Sequence, residues 1–273
     1  MTLSLLKYFM NAIVSLNNQI IKDLVRLKKA GERKNRDLII IDGAREIEAA
    51  VEAGVEIAAL FYCPELVKNS SALAGNFFNL SEEKITKVSE TVFDKICYKE
   101  NPDGFLATAR PRQAFLADIK LKNNPLIVIL EAVEKPGNLG AILRTAYAAD
   151  VTAVIINDSQ TDIYNPNVIR ASEGLIFAET IVKAETAETI SWLKENKIKS
   201  FGAATGALKS HTKADLRGAA AIVLGSESEG LSEQWFKAAD ELIKIPMKEG
   251  IDSLNVSVSA AVILYEVLRQ RER

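Results

Sequence analysis

Histidine and cysteine are almost missing from this sequence: His211, Cys63 and Cys97 are the whole supply in 273 residues. That inventory cannot assemble a Cys/His metal site, so no metal is expected. It also offers no disulfide framework, which points to a reducing, cytoplasmic setting. Long apolar runs are scarce as well. The nearest is the N-terminal MTLSLLKYFMNAIVSL, which is interrupted by Lys7 and lacks an A-x-A cleavage pattern. It is shorter than the roughly 20 residues needed to span a bilayer. Residues 1–16 therefore read as an N-terminal extension, with no membrane partner. Nor is there a strong charge of one sign: the net charge is −2 and the pI is near 5.7, which weighs against a surface that clamps nucleic acid all over. Gly (14) and Pro (7) are too few for a low-complexity chain.

What is present is a hydrophobic fraction of 48% beside 26% charged residues, enough to bury a sizeable core. The length exceeds the usual domain of roughly 100–150 residues, so two domains are expected. Charge is uneven along the chain. Between Lys22 and Arg36 seven basic residues, among them Lys28, Lys29, Arg33, Lys34 and Arg36, face only Asp23 and Glu32. A solvated helix face is the ordinary reading of such a run, and an RNA-facing surface is the functional one.

Apolar residues from Ile20 to Leu27 recur at helical spacing. Leu38–Gly43 then reads as a buried strand, Ala44–Gly54 as a helix closed by Gly54, and Ile57–Cys63 as a second strand. Beyond a polar stretch at Asn69–Asn79, helices are expected at Glu82–Val88 and Glu90–Cys97. The turn Asn101–Gly104 leads into an apolar strand. Residues 17–110 thus form a small α/β unit, and 111–124 reads as a linker. From 125 to 273 the alternation becomes denser. Strands at Leu126–Val133, Ala153–Asp158, Thr180–Val182, Ser200–Ala204, Ala221–Leu224 and Leu242–Ile245 are separated mostly by helices, including Leu139–Ala149. Near-continuous apolar strands between helices imply a parallel sheet covered on both faces. Ligands bind such sheets beyond the carboxyl ends of the strands, so the chemistry is expected in the loops there.

Four loops qualify. Glu134–Ala146 carries Pro136 and Gly137, Asn138 where an N-cap belongs, and Arg144. Asn165–Gly174 carries Arg170 and Ser172 after an Asn-Pro turn. Ile222–Glu233 runs from a strand into Gly225, Ser226, Glu227 and Gly230, a loop whose backbone can approach a ligand closely. The fourth leaves a strand at Ile245, passes Pro246, Met247 and Gly250, and enters a helix at Asn255. Val262, Ile263, Leu264, Val267 and Leu268 of that helix demand burial. Each loop taken alone is also consistent with ordinary capping and solvated arginines.

Taken together, the loops resemble the SpoU (TrmH) family of RNA ribose methyltransferases in the SPOUT superfamily. The resemblance rests on Asn138, Gly140 and Arg144 (Asn-x-Gly-x-x-x-Arg), then Gly225, Ser226, Glu227, Gly230 and Leu231 (Gly-Ser-Glu before Gly-Leu). The third motif is Ile245, Pro246 and Met247 followed by Ser253, Leu254 and Asn255. Asn165-Pro166 and Arg170-Ala171-Ser172 extend it, and RKNRDLIIIDGAREIEAA with NPDGFLATA is similar to the family's RNA-substrate-binding domain. Two departures stand out: Ser228 where the family often has Gly, and Glu173 after Arg-Ala-Ser where a small or apolar residue is usual.

The resemblance implies a SPOUT domain with a deep trefoil knot, a cofactor that is S-adenosylmethionine, and a homodimer formed through the knot domain. It assigns Gly225, Gly230, Ile245, Met247 and Leu254 to the cofactor, and Arg144, Asn138, Asn255 and Glu227 to catalysis. Arg144, Arg170 and Ser172 would join the basic N-terminal residues on RNA. A guanidinium stays protonated, with a pKa above about 12. Arg144 is therefore expected to anchor a phosphate and polarise the ribose hydroxyl whether or not it accepts the proton. Ribosomal RNA is the expected substrate, with a tRNA ribose or base methylase, or a non-catalytic assembly factor, as the alternatives. A dinucleotide dehydrogenase lacks its G-x-G-x-x-G, and GSESEG is no hydrolase elbow with His211 placed elsewhere.

Overall fold

The structure, a computed structural model, describes residues 12–67, 80–158 and 161–272. Most of the expected N-terminal extension and the polar stretch at Asn69–Asn79 lie outside the described residues. The chain divides into two units. One comprises residues 1–112 together with Tyr164–Phe177, and the other Gln113–Ile163 with Ala178–Arg273.

The first unit is built on a four-stranded sheet in the order β1-β4-β2-β3, from β1 (Ile39–Asp42), β2 (Ile57–Tyr62), β3 (Ile85–Lys87) and β4 (Phe105–Ala109). β4 runs antiparallel to both neighbours, while β3 joins β2 in parallel. Helices α1 (Gln19–Arg26) and α4 (Glu90–Ile96) bring Ile21, Leu24, Phe93 and Ile96 into one core with Ile40, Phe61 and Leu106. Residues 82–88 are not the expected helix. A 3-10 turn at Glu82–Lys84 leads into β3, because β-branched Ile85, Thr86 and Val88 fit a pleated edge beside β2 better than a helix. The basic stretch also breaks in two, with α2 (Ala30–Arg36) following α1 at a corner. Arg33 makes that corner: its guanidinium donates to the carbonyls of Leu27 (2.7 Å) and Lys28 (2.9 Å), groups that the end of α1 leaves without helical partners.

Helix α3 (Ala44–Glu52) follows β1 and receives the segment Tyr164–Phe177, which belongs to this unit although it lies within the expected 125–273 domain. Its short helix α6 (Pro166–Ala171) packs on β1. Gly174, at φ +81°, lies so near α3 that a Cβ there would stand 2.7 Å from the Cβ of Ala49. Glu173, one of the two departures from the family pattern, takes a left-handed φ of 55° and forms an ion pair with Arg45 on α3.

The second unit holds seven parallel strands in the order β7-β6-β5-β10-β8-β11-β9. They are β5 (Leu126–Glu131), β6 (Ala153–Asn157), β7 (Ile181–Ala184), β8 (Lys199–Ala203), β9 (Lys209–Ser210), β10 (Ala220–Leu224) and β11 (Glu241–Lys244). β5, β6 and β10 are buried along their whole length, as central strands covered on both faces must be. Helices α5 (Pro136–Ala148), α7 (Thr186–Glu195), α8 (Glu233–Ala238) and α9 (Val256–Arg271) complete the unit, with α9 packed on α5 and β10. The expected linker is part of this core. Leu116, in a 3-10 turn, and Ile119 are buried against Ile127, Ile155 and Trp235.

The connection after β8 skips one place to form β9, then returns across β8 to β10; β11 later fills the skipped slot. Residues 211–218 of that connection are tied to the end of β11 and to the end of α9. His211 Nδ1 lies 3.2 Å from the Lys244 carbonyl, and the Gln270 side chain accepts from the Leu216 amide and donates to the Ala214 carbonyl. Arg271 donates to the Gly218 and Leu216 carbonyls.

Candidate functional site

Strand β5 ends at Glu131, and Ala132 turns the chain sharply with a left-handed φ of 51° while its amide donates to the Asn157 carbonyl. Helix α5 then starts at Pro136, whose fixed φ and missing N–H suit the first helical position. Lys135 is the N-cap, so Asn138 is not the cap expected from the sequence but the third residue of the helix. Its side chain is thereby released for other partners.

Those partners come from the other two motifs. The Nδ2 of Asn138 donates to Glu227 Oε1 at 2.6 Å, and its Oδ1 accepts from Asn255 Nδ2 at 3.1 Å. Glu227 also accepts from the amides of Glu134 (3.1 Å) and Lys135 (3.4 Å) just ahead of α5. Burial pushes the Glu227 carboxyl upward, but these hydrogen bonds outweigh it and hold the group below the ordinary carboxylate range. Asn255 is the N-cap of α9, its Oδ1 accepting from the amide (2.9 Å) and hydroxyl (2.6 Å) of Ser257. Three side chains from three distant loops thus form one chain of hydrogen bonds. Asn138 is fixed from both ends.

The loop after β10 is closed on itself. Ser226 and Gly230 exchange two backbone hydrogen bonds of 3.0 Å, and the Glu229 amide donates to Ser226 Oγ at 3.1 Å. Gly225 admits no side chain, since a Cβ would lie 2.0 Å from the carbonyl carbon of Gly230. Gly230, at φ +72°, opens instead onto free space. Ser228, the other departure from the family pattern, donates to Glu134 Oε1 at 2.8 Å, a further tie between this loop and the start of α5. Ile245 leaves β11, Leu254 precedes Asn255, and with Met247 and Gly225 they are half-buried. Such a glycine-closed loop lets a ligand lie against bare backbone, and the partly exposed apolar groups suit a flat ring such as adenine.

Arg144 stands exposed on α5, about 9 Å along the helix axis from Asn138. Arg170 is exposed in the last turn of α6. Ser172 is not available to RNA: it is fully buried, donating to the Ile169 carbonyl and accepting from the Ile176 amide. Arg33 is likewise buried in the corner between α1 and α2. Lys28 is half-buried, bound to the Cys97 carbonyl at 2.8 Å and set over the Tyr98 ring. Arg36 is engaged by Asp23 and Glu32. Of the five basic residues expected to face RNA, Lys29 and Lys34 are exposed, and among the described residues their side chains show no partner. Sequence reasoning passed over Glu131 and the Glu134–Ser228 pair; an acidic residue closing an otherwise apolar strand was the signal available for the first.

At the opposite, amino-terminal ends of β6 and β7 lies a cleft of about 650 Å³, lined by residues including Lys122, Asp150, Thr152, Glu179 and Thr180. Burial, aided by Asp150 and opposed by Lys122, pushes the Glu179 carboxyl up to about 7. None of the motif residues lines it.

Residues 125–265 match the SpoU rRNA methylase family, and residues 18–107 match the MRM3-like substrate binding domain. The 23S rRNA (guanosine(2553)-2'-O)-methyltransferase RlmP of Bacillus subtilis is 26% identical over 268 residues, spanning 94% of this chain and 99% of its own. The 23S rRNA (guanosine-2'-O-)-methyltransferase RlmB of Vibrio vulnificus is 34% identical over 193 residues, spanning 68% and 78%. Among solved structures, an RNA 2'-O ribose methyltransferase matches at a TM-score of 0.85 and 37% identity, covering 96% of this chain and all of its own. An AdoMet-bound rRNA methyltransferase from Sinorhizobium meliloti matches at 0.85 and 26%, covering 95% and 97%. With the family match spanning more than half of the sequence and its three motifs joined in one site, the chain belongs to the SpoU rRNA methylase family.

Proposed function

We propose that this protein transfers a methyl group from S-adenosylmethionine to a ribose 2'-hydroxyl of ribosomal RNA. The observation that carries this reading is the Asn255–Asn138–Glu227 chain of hydrogen bonds, which joins all three motifs beside the glycine-closed loop. When bound, S-adenosylmethionine supplies a methyl group activated by its sulfonium. The backbone at Gly225, Ile245 and Leu254, with Gly230 and Met247, is the surface that would hold it. Glu227 locks Asn138, Asn138 locks Asn255, and the pair orients the polar groups around the incoming ribose. Much of a transfer barrier is lowered by such fixed positioning. The ribose hydroxyl must also surrender its proton, which passes to solvent water. Arg144, exposed on α5, grips the adjoining phosphate through its planar fork and polarises that hydroxyl.

The substrate-binding unit at 17–110 supplies RNA contacts through Lys29 and Lys34, and Arg170 adds another. On this reading β11 and α9 thread the 204–219 connection and form the deep trefoil knot of the SPOUT domain. A second copy covers the open face of the knot domain, where Val258, Val262 and Tyr265 form an i, i+4, i+7 stripe on α9 and stay 36–53% exposed. Tyr147 on α5 is 50% exposed as well. Among the described residues no helix is long and apolar enough to cross a membrane, and the protein works in the cytoplasm, where its RNA is.

Incubation of the purified protein with labelled S-adenosylmethionine and either ribosomal or transfer RNA tests the substrate. Label is expected in ribosomal RNA, on the ribose. Label confined to transfer RNA, or to a base, contradicts the proposal.

A further inference from the structure

We infer that Glu131 is a positioning residue for the cofactor loop, holding the exit of Gly225–Leu231 in register with the central strand of the sheet. The inference rests on reading that loop as the S-adenosylmethionine surface. Glu131 closes β5 after Leu126, Ile127, Val128, Ile129 and Leu130, and it is only 5% exposed. A carboxylate in that position is costly unless hydrogen bonds satisfy it. Its Oε2 accepts from the Ser232 amide at 2.8 Å, 101 residues away in sequence. Ser232 is the first residue after the loop and the N-cap of α8, where its Oγ accepts from the Trp235 amide.

The two ends of the loop are held differently. Its entry is fixed by the sheet itself, since β10 pairs in register with β5 up to Leu224 opposite Leu130. Its middle is fixed by Glu227 on the lead-in to α5. Its exit is tied back to Ser226 through Gly230 and packed on the core through Leu231, and where it passes into α8 Glu131 holds the Ser232 amide. The position of that exit matters because Gly225 lies directly under Gly230 and Leu231: a Cβ on Gly225 would stand 2.1 Å from the Gly230 oxygen and 2.3 Å from the Leu231 nitrogen. A shift at Ser232 therefore moves the backbone that closes over Gly225. The left-handed turn at Ala132 takes the main chain off the sheet immediately after Glu131, leaving its side chain to reach Ser232. A buried methionine would fill the same space. Only an acceptor holds the amide.

The test compares Glu131→Met, which removes the acceptor, with Glu131→Gln, which keeps one. Ser232→Pro removes the donor at a φ of −61° that proline accepts, and Ser232→Ala controls for the lost hydroxyl. Binding of S-adenosylmethionine is measured by calorimetry well below each melting temperature. Hydrogen exchange of the 226–232 amides is measured on cofactor-free protein. Glu131→Met and Ser232→Pro are each expected to weaken binding by about tenfold and to speed exchange across the loop, while Glu131→Gln and Ser232→Ala stay within about threefold of the parent. The double variant Glu131→Met/Ser232→Pro is expected to be no weaker than either single one. Parental affinity and parental exchange in both Glu131→Met and Ser232→Pro overturn the assignment of Glu131 alone, and should Glu131→Met fail to fold, the proline–alanine pair decides. Failure of the parent protein to bind S-adenosylmethionine overturns the reading of the loop itself.

Discussion

A side-chain amide can face two ways, and its chemistry depends on which way it is held. Asn138 is held by a carboxylate on its nitrogen and on its oxygen by Asn255, itself oriented by Ser257, so Glu227 and Asn255 together fix the Asn138 amide, and Glu227 does so without needing to touch substrate. Single-turnover rates of Glu227→Ala and Asn255→Ala are expected to fall at least about tenfold each. The double variant should lose much less than the product, because both act through one residue. Full additivity contradicts the relay. Glu179 offers a separate test, far from the motifs. Its folded-state pKa of about 7 lies above the ordinary 4.5, so between these values the folded form keeps a proton that the unfolded chain gives up. Stability from this group is thus present at low pH and is lost as pH rises from about 4.5 to about 7, by at most about 3 kcal/mol and by less for a half-buried side chain. Glu179→Gln is expected to flatten that part of a melting temperature against pH curve. An unchanged slope contradicts the assignment.

At the scale of elements, what was legible in the sequence was what burial on both faces or a motif imposes. β5, β6 and β10 are apolar throughout and α9 opens on Asn255, so the strand-to-helix loops could be placed from residues alone. Elements set by tertiary contact could not be. β9 is two residues long and exists because β11 lies beside it. β3 is an edge strand whose residues look equally helical. The corner between α1 and α2 depends on Arg33, whose burial no charge count reveals. Within the site, the motif residues were legible but their bonding was not: placing Asn138 inside α5 instead of at its cap is decided by Pro136 taking the first helical position. These differences sort the basic residues. Arg33→Met is expected to cost about 1–3 kcal/mol by leaving the Leu27 and Lys28 carbonyls without a donor, read as a lower melting temperature. Lys29→Ala with Lys34→Ala should leave melting unchanged and weaken RNA binding, with a shallower salt dependence. The reverse pattern would return Arg33 to the RNA-facing set.

At the scale of the molecule, the second unit brings together loops separated by more than a hundred residues, and a parallel sheet is what aligns their strand ends. The same unit leaves an apolar stripe on α9 open. Val262→Glu with Tyr265→Glu is expected to convert a dimer into a monomer by sedimentation without unfolding either unit; a parent protein that sediments as a monomer contradicts the proposed pairing. The connection from β8 to β10 is stitched to the end of α9 through Gln270 and Arg271, so the C-terminal helix holds that connection in place. These loops are proposed to place a methyl group on a ribose oxygen of ribosomal RNA. Mapping alkali-resistant phosphodiester bonds in ribosomal RNA from cells that have the protein, cells that lack it, and cells that carry Asn138→Ala tests that transfer. One bond is expected to resist alkali only where the unaltered protein is present. An identical cleavage map in all three would contradict the account.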